Sequence, residues 1–134
     1  LGILTAPESP LKSDSSYIRI MSLDGRSWPY APDNANRVVA LECLGDGEII
    51  VLERDYGRFF WRSSITLKRV RLPATTATAL RAERLVTLNT ADGLQIDNFE
   101  GMTRHRGNRF FLVSDNNELF VQRTLLLYIE VVER

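Results

Sequence analysis

One cysteine and one histidine in 134 residues remove whole classes of chemistry at once. Cys43 alone can close no internal disulfide and build no CxxC metal site, and its apolar, strand-like surroundings suit a small core residue. His105 sits between Arg104 and Arg106 with no Gly-x-Ser-x-Gly elbow to serve. A Ser-His-Asp triad built on Ser114 is therefore unsupported, and His105 reads as a surface residue. The eight glycines are scattered through turns and form no phosphate-cradling loop. Neither sign of charge is in excess: seventeen basic residues face seventeen acidic ones, leaving no net field to draw nucleic acid or an anionic membrane surface. Long apolar runs are missing as well, since Leu125-Leu126-Leu127-Tyr128-Ile129 falls far short of the roughly 20 residues of a membrane helix. Helical periodicity is nearly absent. The chain begins with Leu1 rather than Met and carries no basic and apolar leader, which reads as a processed or excised piece of something longer.

What remains is a chain with 44% hydrophobic and 25% charged residues, enough for one domain, 1–134, with a real core. Its apolar residues recur with period two or in blocks of five to seven, bounded by Gly, Pro, Asn and Asp, the pattern of successive β-strands. Strands are expected at 16–23, 37–43, 48–54, 65–72, 83–88, 98–104, 109–115 and 123–132. Asp24-Gly25, Gly45-Asp46-Gly47 and Arg106-Gly107-Asn108 supply turn residues that tolerate positive φ. Longer connections are expected through Ser27–Asp33, Tyr56–Ser64 and Asn89–Asp97. Between Thr75 and Arg84 a short helix competes with a loop leading into a strand, and the loop is preferred.

A faint internal repeat overlies these strands. Arg37-Val38-Val39-Ala40-Leu41, a turn and Ile49 to Asp55 can be laid over Asn98-Phe99-Glu100-Gly101-Met102, a turn and Phe110 to Asn116 at a spacing of 61 residues. Repeated sheets of this kind suggest a β-propeller. The second copy places oxygen-bearing side chains at the open end of an apolar hairpin: Asn98 and Glu100 two apart on one strand, Asp115 and Asn116 where its partner runs out. Oxygen-only donors suit a hard cation such as calcium, and also suit side-chain-to-backbone turns. In the first copy Glu53, Arg54 and Asp55 occupy the equivalent tip. Two carboxylates with an arginine could act as acid, base and anion clamp, or could form an ion-pair network that ties loops together.

Tyr17-Ile18-Arg19-Ile20, Leu23-Asp24-Gly25-Arg26, Val51 to Gly57, Asp97 to Met102, Leu112 to Asn117 and Gln122 to Leu127 together resemble the phytase-like family, also described as esterase-like activity of phytase, over about residues 16–132. The resemblance implies an all-β fold, the C-terminal blades of a propeller of four-stranded antiparallel blades. A complete blade is then expected at about 37–88 and three strands of a last blade at about 98–132. It further implies an exported bacterial protein, periplasmic or secreted, with metal-linked hydrolysis of a small phosphate or carboxylic ester. Glu100, Asp115, Asn98 and Asn116 are then the expected ligands of calcium or another divalent cation, with Glu53, Arg54 and Asp55 on the substrate side. A non-catalytic propeller segment acting as a binding or assembly module is the alternative. Either way, a partial propeller leaves apolar sheet faces uncovered, and the partner expected on them is the missing N-terminal half or a second copy.

Overall fold

A computed structural model describes residues 2–11, 16–56, 63–75, 79–94, 96, 98–115 and 123–132. It is built from antiparallel strands: β1 (Leu4–Thr5), β2 (Ile18–Ser22), β3 (Ser27–Tyr30), β4 (Arg37–Gly45), β5 (Glu48–Tyr56), β6 (Ser63–Arg71), β7 (Ala82–Asn89), β8 (Asn98–Arg106), β9 (Arg109–Asp115) and β10 (Leu126–Glu130). Short 3₁₀ turns at Asp33–Ala35 and Thr90–Asp92 punctuate them. The strands form three sheets: β1-β2-β3, the four-stranded β4-β5-β6-β7, and β10-β9-β8. Among the described residues no helix is long and apolar enough to cross a membrane.

The four-stranded sheet is apolar on both faces, and β5 shows why. Ile49 and Val51 point one way, into a cluster with Ile18, Ile20, Trp28 and Tyr30 of the first sheet. Ile50 and Leu52 point the other way, against Phe99, Phe110 and Leu112 of the third. All four β5 side chains are fully buried. This is the continuous apolar run of a strand covered on both sides rather than the alternation of a half-exposed one. Each such side chain contributes about 1.5–3 kcal/mol of burial, so this strand is the energetic centre of the fold.

The 61-residue repeat is preserved down to the register. Arg37 pairs with Arg54, Val38 with Glu53, Ala40 with Leu52 and Leu41 with Val51. Adding 61 to each gives Asn98 with Asp115, Phe99 with Ser114, Gly101 with Val113 and Met102 with Leu112, all of which pair. The bulges coincide too, at Val39 and Leu44 in β4 and at Glu100 and His105 in β8. A bulge bends and twists the strand that carries it, so matched bulges give the two hairpins matched curvature.

Two expectations need revision. Pro29 was expected to keep Ser27–Asp33 out of regular pairing, yet β3 forms, with Pro29 opposite Arg19. The strand lies at a sheet edge, where a missing N–H costs no ladder bond. The strand expected to end at 104 runs on through His105 and Arg106, so Arg106 belongs to β8 rather than to the turn, which is left to Gly107-Asn108. The preferred loop before β7 is present at Ala79–Arg81, while residues 76–78 lie outside the described residues, as does most of the Tyr56–Ser64 connection.

If the third sheet's inner face is core and its outer face is not, Phe99→Ala should lower the unfolding free energy in urea by about 3–5 kcal/mol. Val113→Thr on the outer face should change it by less than about 0.5 kcal/mol.

Candidate functional site

Because successive residues of a strand face opposite ways, Glu53 and Arg54 part company at the end of β5. Glu53 turns toward the first sheet and is wholly buried. Its Oε1 accepts hydrogen bonds from the Tyr30 hydroxyl and from Lys68 Nζ at 2.8 Å. Its Oε2 faces the Asp33 amide at 3.2 Å and Asn36 Nδ2 at 3.4 Å. Lys68, also buried, bridges onward to Asp33 Oδ1 at 2.8 Å, and Arg84 Nη2 reaches Asp33 Oδ2 at 2.6 Å. Burial, and then the hydrogen bond to Glu53, push the Tyr30 hydroxyl pKa far up, keeping it a neutral donor. Glu53 is thus the hub of a polar clamp between the first two sheets, with every carboxylate oxygen committed. Asp55, next but one along β5, is exposed.

Arg54 turns the other way and is 2% exposed. Its Nη1 donates to Glu100 Oε1 at 3.1 Å, and Nη2 lies 3.7 Å from Glu8 Oε1. Burial draws its pKa down, and the charges of Glu100 and Glu8 oppose that shift. Glu100 occupies the β8 bulge and also accepts a 2.6 Å hydrogen bond from Asn98 Nδ2. Glu8 reaches this rim because the segment before β2 runs along β4, its carbonyl accepting the Val38 amide at 2.9 Å. Glu100 remains about half exposed, so the cluster of Arg54, Glu100, Asn98 and Glu8 opens to solvent.

The register therefore brings Arg54, Asn98 and Glu100 together and sets Asp115 directly opposite Asn98, while Glu53 and Asp55 lie elsewhere. Asn116 lies outside the described residues. Among the described residues no group of three or more His, Cys, Asp or Glu is arranged to hold a metal ion. Asn98, Glu100 and Asp115 offer the oxygen donors a hard cation takes, yet number fewer than its six to eight ligands. Ser114 is buried, with its hydroxyl donating to the Arg123 carbonyl at 2.9 Å and accepting from the Leu125 amide at 2.8 Å, so it serves as a strand-end clasp. His105 is exposed, its Nδ1 3.0 Å from the Tyr128 hydroxyl.

Sequence reasoning missed Glu8, Lys68, Asp33 and Tyr30. Lys68 had left only a faint trace, because β6 also carries Ser63, Ser64, Thr66, Arg69 and Arg71, and nothing local marks Lys68 as the cation that is buried and needs an anion. Glu8 left none, since its place depends on how the N-terminal segment docks.

The family model for phytase-like proteins, described as esterase-like activity of phytase, matches residues 2–118. No curated protein and no solved structure matches the chain.

Removing Lys68 leaves the buried Glu53 carboxylate without a cation while Asp33 keeps Arg84, so Lys68→Met should destabilise the fold by about 3–5 kcal/mol. The double variant Lys68→Met with Glu53→Gln should recover part of that loss in urea unfolding. The Asp33 carboxyl is held below its ordinary value of 3.8, first by the Lys68 hydrogen bond and then by Arg84, against an opposing contribution from burial. Its contribution to stability is accordingly complete above the unfolded-state value and fades as pH falls through the lower folded-state one. Asp33→Asn should therefore be less stable than the parent at neutral pH, with the difference narrowing below about pH 4.

Proposed function

The chain belongs to the phytase-like family, and from that premise we propose that it contributes stacked sheets to a β-propeller that hydrolyses a phosphate or carboxylic ester. The observation that carries this reading is the rim where buried Arg54 and Asn98 meet the half-exposed Glu100 across two sheets. Asp115 stands opposite Asn98 at the same strand end. The Arg54 guanidinium, 2% exposed, holds Glu100 in place through its 3.1 Å hydrogen bond, and the half-exposed Glu100 carboxylate is the group left to face a substrate or a cation.

Asn98, Glu100 and Asp115 would be this chain's share of a divalent-cation site, with further oxygens from sheets beyond those described. A bound cation would supply a Lewis acid and lower the pKa of a water. The register supports the propeller arrangement. Val113 and Phe111 hold the positions of Leu52 and Ile50 in the repeat, and Leu126 pairs with Val113 as Leu67 pairs with Leu52. Leu52 and Leu67 are buried beneath the third sheet, whereas Val113 is 42% and Leu126 66% exposed. The outer face of the third sheet is therefore built to receive another sheet, from the remainder of a propeller or from a second copy. An exported setting, periplasmic or secreted, accompanies the family reading.

That exposed face also favours a second reading, in which the chain is a non-catalytic module for binding or assembly. Thermal unfolding separates the two. Millimolar calcium should raise the melting temperature of the chain, and Glu100→Ala should abolish the rise. An unchanged melting temperature in the parent protein would leave assembly as the better account.

A further inference from the structure

The central sheet carries a second charged feature at the end away from Arg54. A cavity of about 470 Å³ is lined by Glu48, Arg69, Arg71, Arg81, Ala82 and Glu83. Glu48 and Arg54 are six residues apart on β5, which separates this cavity from the rim by roughly 20 Å. Its residues share a face for a reason visible in the register: Glu48 pairs with Arg71, and Arg69 with Glu83.

Three guanidinium groups meet two carboxylates there, leaving one positive charge in excess. Arg69 sends Nε at 3.0 Å and Nη2 at 2.9 Å to the same oxygen of Glu83. Arg71 uses Nη2 on Glu48 Oε1 at 2.9 Å and is largely exposed. Arg81 is exposed at the mouth. The two glutamates hold Arg69 and Arg71 in place, which reduces the side-chain entropy a ligand would have to overcome.

We propose that this cavity binds a small oxyanion-bearing molecule, a phosphate ester or a carboxylate, between Arg71 and Arg81. The excess charge favours an anion, and guanidinium groups match the oxygen spacing of both classes. The site is separate from the Arg54 rim and stands or falls independently of the hydrolase reading.

The test is isothermal titration of the 134-residue chain at low ionic strength, with inorganic phosphate in one arm and succinate in the other. The ligand that binds identifies the oxyanion class. Saturable binding in the millimolar range is expected, weakened about tenfold or more, equivalent to about 1.4 kcal/mol, by Arg71→Ala with Arg81→Ala. Arg26→Ala with Arg109→Ala removes the same charge elsewhere and should leave binding intact. Circular dichroism checks that each variant is folded, and movement of the Ala82 amide resonance places the ligand. The proposal is overturned by no saturable binding in either arm, by binding that survives loss of Arg71 and Arg81, or by equal weakening in the charge-matched control.

Discussion

Burial of the central sheet on both faces is the constraint from which the rest follows. An ordinary antiparallel sheet keeps one face in water, but here β5 sends Ile49 and Val51 into one neighbour and Ile50 and Leu52 into the other. Any polar residue at the end of such a strand must find partners within a protein layer. Glu53 and Arg54 do so in opposite directions, the first through Lys68 and Tyr30, the second through Glu100. The same alternation that packs the core thus divides the charged pair into an internal clamp and a solvent-facing rim.

The two ends of the central sheet also treat charge differently. At the rim, Arg54 is nearly inaccessible and fixed by long-range contacts to β8 and the N-terminal segment. At the far end, the largely exposed Arg71 pairs with Glu48 and the largely exposed Glu83 with Arg69, each across adjacent strands, where an ion pair contributes little to stability. The first arrangement ties sheets together, whereas the second joins neighbouring strands of one sheet at its surface.

Strand positions were legible because period-two alternation and turn glycines are local signals, and β4 through β9 form close to where those signals put them. The 61-residue repeat was legible for the same reason, its bulges excepted. The edge strand Ser27–Tyr30 was hidden by Pro29, whose effect on pairing depends on whether its neighbour is another strand or solvent. In the rim cluster, Arg54, Asn98 and Glu100 could be named from sequence because they are polar side chains flanking the apolar stretches of their hairpins. Which way Glu53 would turn could not, because that required knowing that Tyr30 and Lys68 lie across the sheet interface. Glu8 belongs to the same class, being fixed by a docked segment with no periodic pattern.

The shared register of the two hairpins raises a problem of identity, because each has the shape to occupy the other's berth. Position for position, Arg54 in one corresponds to Asp115 in the other. Were the later hairpin to settle where the earlier belongs, its Asp115 carboxylate would confront Glu8, which normally lies beside the Arg54 guanidinium, and like charges would repel. Inverting one charge between near-duplicate units gives the chain an address label that discourages shuffled assembly without altering the geometry of either.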